Sequence, residues 1–483
     1  MSNPNILSER YASEYLNHLF SEENRIMLER AFWVFIMKSQ KKLGLEIPDN
    51  VILAYETAIP KINLQRIKKI EKTTNHDVKA KIEAFVEAAG MQGSGEHIHR
   101  GMTSRDLTDN IEQAIYRQAS IHIFQQYAGL LDKMISVGKQ NSKIVIVART
   151  HLQPAQPTLL GRRFSMWAEE LHYHLNSFGE FIRNYPLRCI KGPVGTVSDM
   201  SNLLKMYPEN DDYYSEKYVH PKLDELLRME LGFNEILISP GQVYPRSIDY
   251  DLVSKLVCLS SAPTNFATTM QLMAGMQLVT EGFSEGQTGS TAMPHKMNTP
   301  NCERIVSLSR LLKGYATAAA ELVGTQWCEG DVSCSALRRE VMPSAFYAVE
   351  GICITAQKVL KNMRTYPEMI KKELDYNAPF LATTGLLVMA TNYGMGREKA
   401  HEIIKECALE EAEYLHTGKL PHKDFATRLA ENQEFKKHNI TKTSIQIEIA
   451  EAKKTTGLAA YQIDGVRNKV FDLAQNFREY LDE

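Results

Sequence analysis

Six polar clusters hold most of the side chains in this sequence that could do chemistry: ERYAS (Glu9–Ser13), TNHDV (Thr74–Val78), HRGMTSRDLTDN (His99–Asn110), RTHLQPAQP (Arg149–Pro157), GQTGSTAMPHKMN (Gly286–Asn298) with its CERI sequel, and QWCEGDVSCSALRRE (Gln326–Glu340). Most lie at the edges of long apolar segments. A helix end there offers free N–H groups and a dipole that favours anions, so such clusters suit the binding of carboxylates or phosphates. The Gly286–Asn298 stretch stands apart. Gly286 and Gly289 loosen its backbone, Pro294 interrupts any helix, and Ser, Thr, His, Lys and Asn crowd between them. Flexibility combined with Ser290 and Lys296 is entropically costly unless something is bound there.

The pattern is not a phosphate-cradling P-loop, because Lys296 lacks the preceding Gly and the following Ser or Thr. There is no G-x-S-x-G elbow and no H-E-x-x-H pair, so acyl transfer and zinc-protease chemistry lack their usual groups. The other clusters each have a structural reading beside the functional one. His76–Asp77 can open a surface helix capped by Thr74. His151 can be a buried ring satisfied by a neighbour. Thr103–Asp106 can cap the segment that follows, and Arg338 and Arg339 can form surface ion pairs.

The elements that must position these groups read as helices. Ile305, Leu308, Leu311, Leu312, Tyr315, Ala318, Ala319 and Leu322 recur at helical spacing along one face. Similar patterns run from about Asn110 to Asn141, Leu160 to Tyr185, Asp251 to Gly282 and Glu340 to Arg364. Five such segments predict an all-α fold built on a central long-helix bundle, with Pro263 kinking one member. Strand signals are confined to KIVIVART (Lys143–Thr150) and EILISPGQVYP (Glu235–Pro245), while IKGPVGTVS reads as a tight loop or hairpin. We divide the chain into a smaller helical domain at 1–110, the bundle at 111–364 and a third helical domain, richer in Lys and Glu, at 365–483.

Composition narrows the partners. At 483 residues the chain is too long for one ordinary core, and 43% apolar with 24% charged residues fits a soluble globular protein. A net charge of -2 gives no reason to expect nucleic acid or an anionic membrane. No segment approaches the ~20 apolar residues of a membrane span, and MSNPNILSERYASEYL has no apolar signal core. Seven scattered cysteines without a C-x-x-C pair predict a reduced, cytoplasmic protein with no zinc site.

Ser290, Met293, Pro294, Lys296 and Asn298 form S-x-x-M-P-x-K-x-N, which resembles the signature loop of the aspartase/fumarase superfamily. GMTSRDLTDN and RTHLQPAQPT resemble its two other characteristic regions, in order, so the resemblance covers nearly the whole chain. Within the superfamily, ERYAS, TNHDV, RTHLQPAQ, AMPHK and CER resemble the adenylosuccinate lyase family. The carboxymuconate cycloisomerase branch can also write M-P-H-K, but it generally lacks the Thr-His of RTH and has no need of ERY. Two positions depart from the family pattern. Lys296-Met297-Asn298-Thr299 stands where K-R-N-P is usual, and Gly330 follows Glu329 where an Arg commonly helps to hold the nucleotide phosphate.

The resemblance implies β-elimination of fumarate from adenylosuccinate, giving AMP, and from the succinylated carboxamide ribotide of purine synthesis. Removing a proton beside a carboxylate puts charge on a group already anionic, and fixed donors must meet it. On the family pattern, Ser290 is the general base, activated when the site closes and sheds water. Lys296 meets the developing charge, and His151 is the general acid at the leaving nitrogen. His76 positions the substrate or His151, and Glu303 orients Lys296 or His151. Thr103, Ser104, Thr150 and Asn298 hold the succinyl carboxylates, and Gln242 contacts the substrate. Arg10, Tyr11, Arg304, Ser335 and Arg339 attend the phosphate. No metal or organic cofactor is implied. The family assembles as a homotetramer whose active sites are shared between subunits, which suits the near-continuous apolar stripes.

Overall fold

The computed structural model describes residues 5–93, 95–204, 220–282, 292–293, 295–419 and 423–481, with backbone alone at 220–221 and 471–481. Helices dominate. Among the longer ones are Ser104–Gln140, Leu160–Arg183, Ser247–Leu259 followed by Ser261–Gly275, Pro300–Ala320 and Ser335–Asn362. These cover the five apolar segments read from the sequence. The fourth segment is not kinked at Pro263 but broken at Ser260, the C-cap of the first of its two helices. Pro263 is the third residue of the second helix, where a backbone N–H has no intrahelical acceptor to lose.

Strand content among the described residues is three two-stranded pairs. Val145–Thr150, expected as a strand, pairs antiparallel with Gln153–Leu159. EILISPGQVYP contributes only Glu235–Ile236, paired in parallel with Pro186–Leu187. IKGPVGTVS is irregular, with positive φ at Gly192, Gly195 and Val197.

The chain groups into two compact units. One comprises Met1–Ala128, Tyr173–Ser261 and Ile305–Ile354, the other Gly129–His172, Ala262–Arg304 and Thr355–Glu483. Each draws on more than one of the three segments defined from the sequence.

The first unit is held by an aromatic core and a buried ionic network. Trp33 stacks on Phe85 with ring centroids 6.0 Å apart, and Tyr55 meets Phe85 edge-on at 5.0 Å. Arg338 is buried and donates to Asp249 at 2.6 Å, Glu112 at 2.7 Å and the Tyr244 hydroxyl at 2.5 Å. It is therefore not the surface ion-pair residue that sequence allows. Burial by itself would raise the Glu112 carboxyl, but Arg338, with Arg25 and Arg246 beside it, outweighs burial and holds the group well below the usual carboxylate range. In the second unit Phe164, Trp167 and Phe266 pack together, and Leu386, Ile403, Phe425, Leu429 and Ile445 form a separate C-terminal core. No helix among the described residues is long and apolar enough to cross a membrane.

Candidate active site

In the first unit, the helix Asp77–Ala89 starts at His76 itself. The Lys79 N–H donates to His76 Nδ1 at 3.2 Å, so His76 and not Thr74 is the N-cap. A ring nitrogen that accepts cannot carry the proton, which leaves Nε2–H as the donor edge. Thr103 and Ser104 open the Ser104–Gln140 helix. Here the capping group is the fully buried Asp106, whose Oδ2 takes the Thr103 N–H at 2.8 Å, the reciprocal half of a capping box. Its Oδ1 is clamped by Arg188 at 2.6 Å and by the N–H groups of Lys191 at 2.8 Å and Gly192 at 3.0 Å. This anchor was not legible as a function of the TSRD stretch.

Ser335 and Arg339 sit one turn apart at the start of the Ser335–Asn362 helix, and Arg339 reaches Asp77 at 3.6 Å. His76, Ser104, Ser335 and Arg339 line a single cavity of about 220 Å³. Four of the sequence-predicted groups are thus brought together. Thr103 and Gln242 are not among its lining residues. Arg10 is exposed and Tyr11 is half-buried. Their segment is docked by the buried Glu350, which accepts the Ser13 N–H at 2.7 Å and pairs with His122 at 2.6 Å. Glycine at 351 makes room for it, since a Cβ there would lie 2.9 Å from Tyr11 Cβ.

The departure at Gly330 has a physical reason. Its φ is +147°, and a Cβ would come within 3.1 Å of Val243 Cγ2 and 3.3 Å of Gln242 Cβ. Next to it the Gln242 N–H donates to Glu329 O at 2.6 Å, and a Cβ on Gly241 would lie 2.1 Å from that same oxygen. An arginine at 330 would strain a crossing of two backbones that is already tight.

In the second unit, Thr150 pairs with Gln153, so His151 and Leu152 form a two-residue hairpin turn. Both have left-handed backbones, φ 53° and 62°, and both side chains are exposed. That is the geometry of a type I′ turn, which normally takes Asn-Gly. His151 is thus not a buried ring but a group held at a hairpin tip. Arg149 braces the turn by donating to Leu152 O at 3.0 Å and pairing with Glu373 at 2.6 Å.

Glu281 is the residue that sequence reasoning missed here. Only 1% exposed, it accepts the Asn301 N–H at 3.1 Å, Asn301 Nδ2 at 2.8 Å and the Cys302 N–H at 3.1 Å, closing the N-terminus of the Pro300–Ala320 helix. Burial, with Glu281 alongside, pushes the Cys302 thiol up. The one available signal was an acidic residue ending the apolar run before the glycine-bearing stretch. Glu303 is exposed and Arg304 half-buried on the first turn of this helix, with Arg304 Nη1 3.4 Å from Asn301 Oδ1. Lys296 is exposed and Asn298 half-buried. Ser290 and Pro294 lie outside the described residues.

Residues 13–202 match the family model described as Lyase, and residues 379–466 match the one described as Adenylosuccinate lyase C-terminus. The chain is 31% identical to the adenylosuccinate lyase of Schistosoma mansoni, over 84% of this chain and 83% of that one. It is 32% identical to that of Schizosaccharomyces pombe, over 83% and 81%. For Methanocaldococcus jannaschii the identity is 29%, over 95% and 94%. Among solved structures, the 3-carboxy-cis,cis-muconate lactonizing enzyme of Pseudomonas putida superposes with a TM-score of 0.82, covering 98% of this chain and 100% of that one. At 16% identity that likeness is one of fold alone. Sequence separates the two branches that share this fold, and it places the chain in the adenylosuccinate lyase family.

Proposed function

We propose that this protein eliminates fumarate from adenylosuccinate to give AMP, and from the succinylated aminoimidazole carboxamide ribotide to give the carboxamide ribotide, in the cytoplasm. The observation that carries this reading is the cavity gathering His76, Ser104, Ser335 and Arg339. It combines a ring N–H donor, hydroxyls and a guanidinium, which are the groups an anionic nucleotide requires. In this reading Arg339 and Ser335 take the phosphate with Arg10, Tyr11 and Arg304, while Ser104, Thr103, Thr150 and Asn298 take the succinyl carboxylates. Gln242 contacts the substrate.

Ser290 removes the proton beside the carboxylate, and Lys296 stabilises the charge that develops. The hairpin tip presents His151 to protonate the leaving nitrogen, and a strained turn of two non-glycine residues is a natural place to hold such a group. Glu303 orients Lys296 or His151, and His76 positions the substrate.

The test is the absorbance change on conversion of adenylosuccinate to AMP by the full chain. Ser290→Ala and His151→Ala should each lose roughly 10²- to 10⁴-fold in turnover with little change in stability. The double variant should be far less damaged than the product of the two losses, since both act on one bond. No AMP from the wild type would end the reading, and near-normal turnover by Ser290→Ala would remove that serine as the base.

A further inference from the structure

Arg25, on the helix Glu22–Lys42, lines the same cavity as His76, Ser104, Ser335 and Arg339. Every other cation there is engaged. Lys81 Nζ lies 2.8 Å from Glu29 Oε1, Arg105 3.4 Å from Asp109, and Arg339 3.6 Å from Asp77. Arg25 is half-buried, yet its guanidinium makes no hydrogen bond or ion pair to another described residue. The cavity's carboxylates make their direct ion pairs with other cations, Glu29 with Lys81, Asp77 with Arg339 and Glu112 with Arg338. The field of Arg25 reaches Glu29 and Glu112 and pulls each carboxyl downward, but it makes no direct ion pair with either, so the donor fork of this half-buried guanidinium is left for a ligand. Its planar fork fits a phosphate bidentately.

A phosphate monoester carries between one and two negative charges near neutrality. Arg339, partly neutralised by Asp77, offsets only some of this, and the family's further arginine is a glycine here, in a backbone that a side chain would strain. We propose that Arg25 is a phosphate ligand of the substrate, working with Ser335 and Arg339 in place of the arginine absent at Gly330. The charge is supplied from a different helix, so the tight crossing at Gly241 and Gly330 stays intact. The inference rests on reading this cavity as the nucleotide site.

The experiment uses the full-length enzyme with Arg25→Gln and Arg25→Lys, and measures inhibition of adenylosuccinate turnover by AMP, inorganic phosphate and fumarate. For Arg25→Gln, AMP and inorganic phosphate should each inhibit about 10- to 100-fold more weakly, KM should rise more than kcat falls, and fumarate inhibition should hold. Arg25→Lys should recover part of the AMP affinity, because it keeps the charge but loses the fork. Unchanged AMP inhibition in Arg25→Gln, in an enzyme whose wild type is active, would overturn this proposal alone. Weakened fumarate inhibition with AMP intact would move Arg25 to the carboxylates and also overturn it. Equal weakening of all three with a lowered Tm would mark a structural role, again against it. A wild type that neither turns over adenylosuccinate nor binds AMP would remove the nucleotide reading and this inference together.

Discussion

At His99 the Trp33 indole N–H donates to Nδ1 at 3.0 Å, and the ring is partly enclosed. Burial, outweighing the pull of Asp106, lowers this histidine to about 4 from the ordinary 6.5. The folded ring therefore stays neutral in a range where the unfolded chain takes up a proton. Stability should be complete above pH 6.5 and fall as the pH drops from there towards 4, by about 2 kcal/mol between pH 7 and pH 5. Urea unfolding at the two pH values checks this, and His99→Asn should remove that part of the acid dependence. An equal acid loss in the variant would assign it to other groups. Candidate residues stand out in the sequence because their types are chemically distinctive, but their surroundings do not. Arg338 and Arg339 are adjacent in sequence, yet one is the buried centre of an ionic network and the other half-solvated at the cavity. Only the rotation of the helix separates them, and no property of the two letters encodes it.

The hairpin Val145–Thr150 with Gln153–Leu159 shows what can be read at the scale of an element. Its first strand opens on a run of consecutive β-branched residues, Val145, Ile146 and Val147, and was legible. Its second, QPAQPTL, has two prolines and carries no strand signal. Proline survives there because in a two-stranded ribbon each strand has an edge on which no N–H is needed. The turn between them is locally unfavourable, since Leu152 adopts φ 62° and leaves its side chain 56% exposed. Leu152→Gly should therefore stabilise the protein by about 1 kcal/mol, through relief of the left-handed backbone. Denaturant titration reads the sign, and a loss of stability would show that Leu152 packs usefully despite its exposure. Helix existence was legible from apolar spacing, but the break at Ser260 was not, because Pro263 suggests a kink inside one helix as readily as the start of a second.

Over the whole chain, several long helices expose large apolar side chains, among them Met166, Tyr173, Leu272, Leu311 and Ile354. We expect a homotetramer to cover them, with active sites completed by more than one subunit. Light scattering at micromolar concentration should then give the mass of four 54.8 kDa chains, and a fully active monomer would refute the shared site. The two compact units cut across chain order. Contacts group residues from distant parts of the sequence, because Ser104–Gln140, Leu160–Arg183 and Ser335–Asn362 each supply residues to both compact units. One small feature bears on how such a chain can change over generations. Glu281 fastens Asn301 and Cys302, so the stretch between is tied to the fold by a carboxylate that precedes it and by N–H groups that follow it. Loop-closure entropy grows slowly, and even doubling such a stretch costs only about 0.6 kcal/mol. By that arithmetic, lengthening the stretch should cost folding little while Glu281 keeps its end fastened to the Pro300–Ala320 helix. Met297, where the family pattern has Arg, is the exception, because its sulfur accepts a hydrogen bond from the Tyr366 hydroxyl at 3.5 Å and a change there is felt by the fold.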